Sequence, residues 1–278
     1  ILNEIAKENG YFYNNQQIEA IRSALKEKIM VLTGGPGTGK TTTILGVIKA
    51  LKALKYSIVL AAPTGRAAKR LSEVAGLEAK TIHRLLEYNM ESGFVKNQNN
   101  SLEGRVFIID ECSMIDVLLL HGLLKALPDE ATLILIGDVD QLPAVGPGNV
   151  LKDILDSKGV KAIALTEIFR QAKESKIVLN AHRINRKEMP IVENGEEDDF
   201  FLLKETKEER ILDLIEDLCL NRLPKKYGVN PVEDIQILVP LKKGLIGTRN
   251  INALMQGVLN PGTGGLAYGD QVFRVKDK

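Results

Sequence analysis

Residues 29–41 read "IMVLTGGPGTGKT", an apolar run that stops at a glycine-rich turn ending in Lys40 and Thr41. Within it Gly34, Gly39, Lys40 and Thr41 satisfy the spacing G-x-x-x-x-G-K-[ST]. A buried strand delivers the chain to a sheet edge, glycines let the backbone wrap an anion, and the next helix points unpaired N–H groups at phosphate. Lys40 is placed to reach the β- and γ-phosphates of a nucleotide, and the Thr41 hydroxyl to coordinate Mg²⁺. The turn from Gly35 through Pro36, Gly37, Thr38 and Gly39 to Lys40, Thr41 and Thr42 is expected to line the phosphates of ATP.

The same strand-then-helix rhythm runs outward from this stretch. Short apolar segments at Ile29–Thr33, Ser57–Ala62, Val106–Asp110 and Thr132–Gly137 alternate with helical patterns near 39–54, 65–74 and 116–127. Uniformly apolar strands separated by helices of that length predict an α/β fold, a parallel sheet with helices on both faces. Between them, 87–104 is polar and turn-rich, an inserted β-hairpin or a disordered loop. The later half is weaker in pattern. It offers helices near 175–186, 207–222 and 248–259, and strands at Phe200–Lys204, 235–240 ("IQILVP") and near Gln271–Val275. We therefore expect a first domain over 1–165 and a second, incomplete α/β domain over 166–278.

Bulk properties exclude little. The chain has 278 residues, 44% hydrophobic and 26% charged, with a net charge of +1, so overall charge does not announce a nucleic-acid partner. The acidic stretch 193–200 reads as a solvated loop. No apolar run approaches the roughly 18 residues of a membrane span, so no membrane role is expected. Two distant cysteines, Cys112 and Cys219, give no disulfide framework and point to a reducing cytoplasm.

Further chemistry collects at strand ends. "VFIIDECS" at 106–113 closes with Asp110, suited to the metal shell, and Glu111, suited to orient or deprotonate the attacking water. Cys112 beside them reads as small filler. "GDVDQLPAVGPG" at 137–148 follows another strand, where Gln141 is either a neutral sensor of the γ-phosphate or a glutamine exposed in a turn. Arg170 in "LTEIFRQ" is either a surface arginine or one presented across the cleft to offset transition-state charge. Gln17 precedes an amphipathic helix, and its amide can pair with adenine. His83 by itself reads more often as a satisfied structural histidine than as a DNA contact.

Together these stretches resemble the superfamily 1 DNA helicases of the RecD/TraA branch. The resemblance rests on "NNQQIEAI", "GGPGTGKTTT", "APTGRAAKRL", "TIHRLL", "FIIDECSMID", "LIGDVDQLPAVGPGNVL", "LTEIFRQ" and "ILVPLKKGLIGTRNINALMQGVLNP", in the family's order. It implies two RecA-like P-loop domains, the second incomplete, and an ATP-dependent helicase or translocase of DNA repair and recombination moving 5′ to 3′. It assigns Gln17 to adenine, Lys40 and Thr41 to phosphate and Mg²⁺, Asp110 and Glu111 to metal and water, and Gln141 and Arg170 to the γ-phosphate. It lays Pro63, Thr64, Gly65, Arg66, Thr81, His83 and Arg84 along single-stranded DNA, with Leu142, Pro143 and Val145 facing the same path. It makes 87–104 the pin that splits the duplex, and names single-stranded DNA and other subunits of a helicase–nuclease complex as partners of an otherwise monomeric chain. Low aromatic content, 5% with no Trp, points to grip through backbone contacts more than stacking.

The first residue is not Met, and the family's further strand, inserted barrel and later arginine motif are missing after "VFRVKDK". We therefore expect a piece of a longer protein, with nucleotide binding, weak hydrolysis and poor unwinding. Two other functions use the same loop: an ATP-gated binding module for single strands, or an ATPase acting on a protein partner. The latter would leave "PTGRAAKR" and "TIHRLL" idle.

Overall fold

The computed structural model describes residues 12–169, 174–195, 197–269 and 271–277. They divide into two compact units, the first ending at Phe201 and the second starting at Leu202.

The first unit is built on a six-stranded, wholly parallel sheet. Its elements are α1 (Asn15–Lys26), β1 (Ile29–Gly34), α2 (Lys40–Ala53), β2 (Ile58–Ala62), α3 (Gly65–Ala75), β3 (Ala79–Thr81) and α4 (Ile82–Leu85). A small hairpin of β4 (Tyr88–Asn89) and β5 (Gly93–Phe94) comes next. Then follow β6 (Val106–Ile109), α5 (Val117–Ala126), β7 (Thr132–Gly137), α6 (Val150–Ser157), β8 (Lys161–Leu165) and α7 (Lys176–Asn185). The strand order is β3-β2-β6-β7-β1-β8.

Side-chain alternation explains why every central strand is apolar throughout. Met30 and Leu32 of β1 and Ile108 of β6 face a core with Ile21, Ile48 and Leu51 from α1 and α2. Val31, Phe107 and Ile109 face the opposite core, with Ile82, Leu86, Leu119 and Leu123. A sheet buried on both sides needs both alternating sets to be apolar. Parallel strands then end on one edge, and all the loops that carry candidate chemistry leave from that edge.

The 87–104 segment forms the expected hairpin, extended by a bridge between Asn97 and Asn100. Phe94 anchors it on α5. A Cβ on Gly122 would stand 2.7 Å from the Phe94 ring, so only glycine admits this contact.

The unit boundary lies later than the sequence suggests, because residues after β8 stay attached to the glycine-rich loop. Phe169 N–H donates to Gly37 O at 3.2 Å, and His182 reaches Pro36.

The second unit contains α8 (Glu208–Asp217), a π-helical turn over 218–222, α9 (Leu223–Tyr227) and α10 (Thr248–Leu259). It ends in an antiparallel pair, β9 (Leu266–Tyr268) and β10 (Gln271–Phe273). The strands expected at Phe200–Lys204 and 235–240 do not form. Among the described residues neither segment has a ladder partner, and apolar alternation alone supplies none. Ile235, Ile237 and Val239 nonetheless point inward onto Cys219, Ile251 and Met255, while Leu238 between them is 86% exposed. The period of a strand is kept without its hydrogen bonds.

Candidate nucleotide site and sheet-edge loops

The turn after β1 is shaped by its own backbone. Gly37 and Gly39 take φ of 73° and 83°, a region costly for residues with a Cβ. Thr38 Oγ1 donates to Gly35 O at 2.8 Å, and Thr43 Oγ1 to Gly39 O at 2.9 Å. Lys40 Nζ donates to the carbonyls of Gly34 and Gly35, the latter at 3.0 Å, and lies 4.0 Å from Asp138 Oδ2. Thr41 is exposed on the first turn of α2, and Thr42 half-buried beside it.

Carboxylates from two neighbouring strands surround Lys40. Asp110 follows β6, its N–H tied to Ala61 O at 3.0 Å and its Oδ1 accepting from Glu111 N–H at 2.9 Å. Glu111 sits at φ 54°, the left-handed region that a non-glycine residue adopts only under local constraint. Asp138 follows β7 and is 3% exposed. Burial lowers the Lys40 pKa, with Asp138, Glu111 and Asp110 opposing it. Burial likewise raises Asp110, against the Glu111 N–H bond and the charges of Lys40 and Arg70. Glu111 is raised by burial and then by the charge of Asp110. Burial also pushes the Cys112 thiol far up, and its Sγ donates to Ile109 O, which suits a filler rather than a nucleophile.

A desolvated cation facing desolvated carboxylates fits a ligand that brings both an anion and a divalent cation. The hydroxyls of Thr33 and Ser113, buried in the same region, have no hydrogen-bond partner among the described residues. Among those residues no group of three His, Cys, Asp or Glu side chains can hold a metal unaided.

Ionisation of Asp110 carries a testable consequence. Its raised pKa means that the folded chain binds this proton more tightly than the unfolded one, so stability falls as pH rises through the interval above the ordinary value. Asp110→Asn is expected to raise the melting temperature at pH 7, with the gain vanishing below about pH 4, where both states are protonated. Paired thermal melts at the two pH values check this, and a lower melting temperature at pH 7 would refute it.

Gln17 is 1% exposed and already engaged. It closes a capping box with Asn14, and its Nε2 approaches Gly39 O at 3.5 Å, linking α1 to the glycine-rich turn. Gln141 lies on the loop after β7, exposed, its N–H bonded to Asp138 O at 3.2 Å. Leu142, Pro143 and Val145 are exposed on the same loop. This loop folds against the start of α5, where Val117 N–H donates to Pro147 O at 3.0 Å. Arg170 lies outside the described residues.

The candidate DNA-facing residues occupy two adjacent helix starts. Thr64 caps α3 by accepting from Ala67 N–H, and Thr81 caps α4 by accepting from Arg84 N–H, both at 3.2 Å. Thr81 pairs with Ala62 across β3 and β2, so the two starts leave neighbouring strands side by side. Pro63 and Gly65 flank the first cap, and Arg66 and Arg84 are exposed on the same edge. His83 packs against hairpin rings, 5.6 Å from Tyr88 and 5.9 Å from Phe94 between centroids.

Two residues near Lys40 escaped the sequence reading. Asp138 had a usable signal, a carboxylate directly after an apolar strand. His182 had none, since only the folded chain brings it to Pro36.

Comparison with known proteins agrees with this geometry. A family model described as an AAA domain matches residues 17–147, the span that holds Gln17, Lys40, Asp110, Glu111 and Gln141. The ATP-dependent RecD2 DNA helicase of Deinococcus radiodurans is 33% identical over 264 residues, which is 95% of this chain. The RecD subunit of the RecBCD enzyme of Mycobacterium tuberculosis is 38% identical over 180 residues, or 56% of this chain. The chain is RecD-like in sequence. It spans 35% and 31% of the lengths of these two relatives. The RecD-like fold also matches the Pif1 helicase of Candida albicans, with a TM-score of 0.53 at 22% identity over 76% of this chain and 55% of that one. For this RecD-like chain the family implies nucleotide binding. Among the described residues, no helix is long and apolar enough to cross a membrane.

Proposed function

We propose that this RecD-like chain carries the ATP site and part of the DNA track of an ATP-dependent 5′→3′ DNA helicase of repair and recombination. The observation that carries this reading is Lys40 set among Asp138, Asp110 and Glu111 on the sheet edge that also holds the paired helix starts at Thr64 and Thr81. The glycine-rich turn and Lys40 bind the triphosphate, and Gln17 lies beside the adenine. Thr41 and Asp110 would hold Mg²⁺, which neutralises phosphate charge when bound. Glu111 orients the attacking water and accepts its proton, favoured in that task by a raised pKa. Gln141, exposed next to Asp138, bonds the γ-phosphate and reports its loss, and Arg170 offsets charge on the same group.

Backbone N–H groups at the two helix starts take DNA phosphates, with Arg66 and Arg84 adding local charge and Pro63, Gly65, His83, Leu142, Pro143 and Val145 lining the path. The hairpin at 87–104 is the wedge. The unit that starts at Leu202 is the proposed beginning of the second, incomplete RecA-like domain. One relative is named a DNA helicase and another a subunit of the RecBCD enzyme. Single-stranded DNA and the subunits of such a complex are therefore the proposed partners, and the bacterial cytoplasm the proposed setting. The experiment is ATP turnover titrated with a single-stranded oligonucleotide: saturable stimulation supports the reading, and indifference to DNA overturns it.

A further inference from the structure

We infer that His182 is a positioning residue of the nucleotide site, holding the crest of the glycine-rich turn from outside it. Helix α7 starts at its cap Ser175, whose Oγ accepts from Val178 N–H at 3.2 Å, and carries His182 over the turn. His182 Nε2 lies 3.1 Å from Pro36 O. A carbonyl only accepts, so Nε2 bears the proton and donates. The ring also covers Gly35, where a Cβ would stand 2.7 Å from Cε1.

Gly35 is not among the glycines with positive φ. Its backbone therefore does not demand glycine, and the motif leaves this position free. The approach of His182 supplies the reason for it. The contact reaches the chemistry in one step, because Gly35 O also receives Thr38 Oγ1 and Lys40 Nζ. Pro36 has no N–H, so its carbonyl is its one backbone hydrogen-bonding group. With that carbonyl held, the Pro36–Gly37 peptide is fixed, and the ring-locked φ of Pro36 passes the constraint to the preceding peptide, whose Gly35 carbonyl anchors Lys40.

This inference rests on reading 34–41 as the ATP site, and the test separates the two. Mg-ATP affinity is measured by titration with a fluorescent ATP analogue for the wild-type chain and for His182→Ala, His182→Gln, Gly35→Ala and the Gly35→Ala/His182→Ala double variant. His182→Ala is expected to weaken binding about 3- to 10-fold, the scale of one net hydrogen bond. His182→Gln, whose Nε2 also donates, recovers most of the loss. Gly35→Ala displaces the ring and loses a similar factor, and the double variant is no weaker than the poorer single one, because both remove one contact. Wild-type affinity in His182→Ala, no recovery in His182→Gln, or losses that multiply in the double variant would overturn the positioning role. Lys40→Ala runs alongside. If the wild-type chain binds Mg-ATP no better than Lys40→Ala, the nucleotide reading itself fails and takes this inference with it.

Discussion

Lys40→Ala is expected to lower ATP turnover by at least about 10²–10³-fold, the scale for removing one preorganised donor aimed at developing charge. Lys40 lies 4.0 Å from Asp138, feels the charges of Glu111 and Asp110, and donates to the turn's own carbonyl at Gly35. The chain is also expected to stay folded without it. Burial lowers the Lys40 pKa, so its charge is held at a desolvation cost that alanine removes. Asp138, left behind, still accepts from Asp140 N–H at 3.1 Å. Steady-state turnover together with a thermal melt checks both halves. Retained turnover would place the active site elsewhere, and an unfolded variant would show Lys40 to be structural.

Glu111→Gln is expected to leave Mg-ATP binding within about a factor of three while turnover falls about 10²–10⁴-fold, the range for losing a general base. Glutamine keeps the size of the side chain and its φ of 54°, and removes only the ability to take a proton. Two forces acting on Glu111 support this split. Burial and the charge of Asp110 raise its pKa toward that of a usable base, whereas the proposed division of labour gives Asp110 the metal rather than the proton. Binding by fluorescence and turnover by phosphate release separate the effects. An equal loss in both would make Glu111 a ground-state contact instead.

The sheet was legible in the sequence where burial is complete. β1, β2, β6 and β7 lie within a residue or so of the apolar runs, because strands covered on both faces tolerate few polar side chains. The edge strands β3 and β8 were missed for the same reason. "AKT" at 79–81 and "KAIAL" at 161–165 are short, partly exposed and mixed in polarity, and they gain their ladder only from β2 and β1. The opposite error arose at 235–240. Its alternation is that of a strand, and the folded chain uses it to bury Ile235, Ile237 and Val239 with no neighbouring strand among the described residues.

Within the site, Lys40, Thr41, Asp110 and Glu111 were legible because each follows an apolar run at a fixed offset. The His182–Pro36 contact joins positions 146 residues apart, and no local pattern encodes it.

The most direct measurement is the rate of ATP hydrolysis at rising concentrations of a single-stranded oligothymidine, with Lys40→Ala as the blank. Coupling between Lys40 and the helix starts at Thr64 and Thr81 requires a saturable rise of about tenfold or more, a barrier lowered by roughly 1.4 kcal/mol, absent from the Lys40→Ala variant. A measurable basal rate that depends on Lys40 yet stays flat at every DNA concentration would contradict a DNA-driven motor.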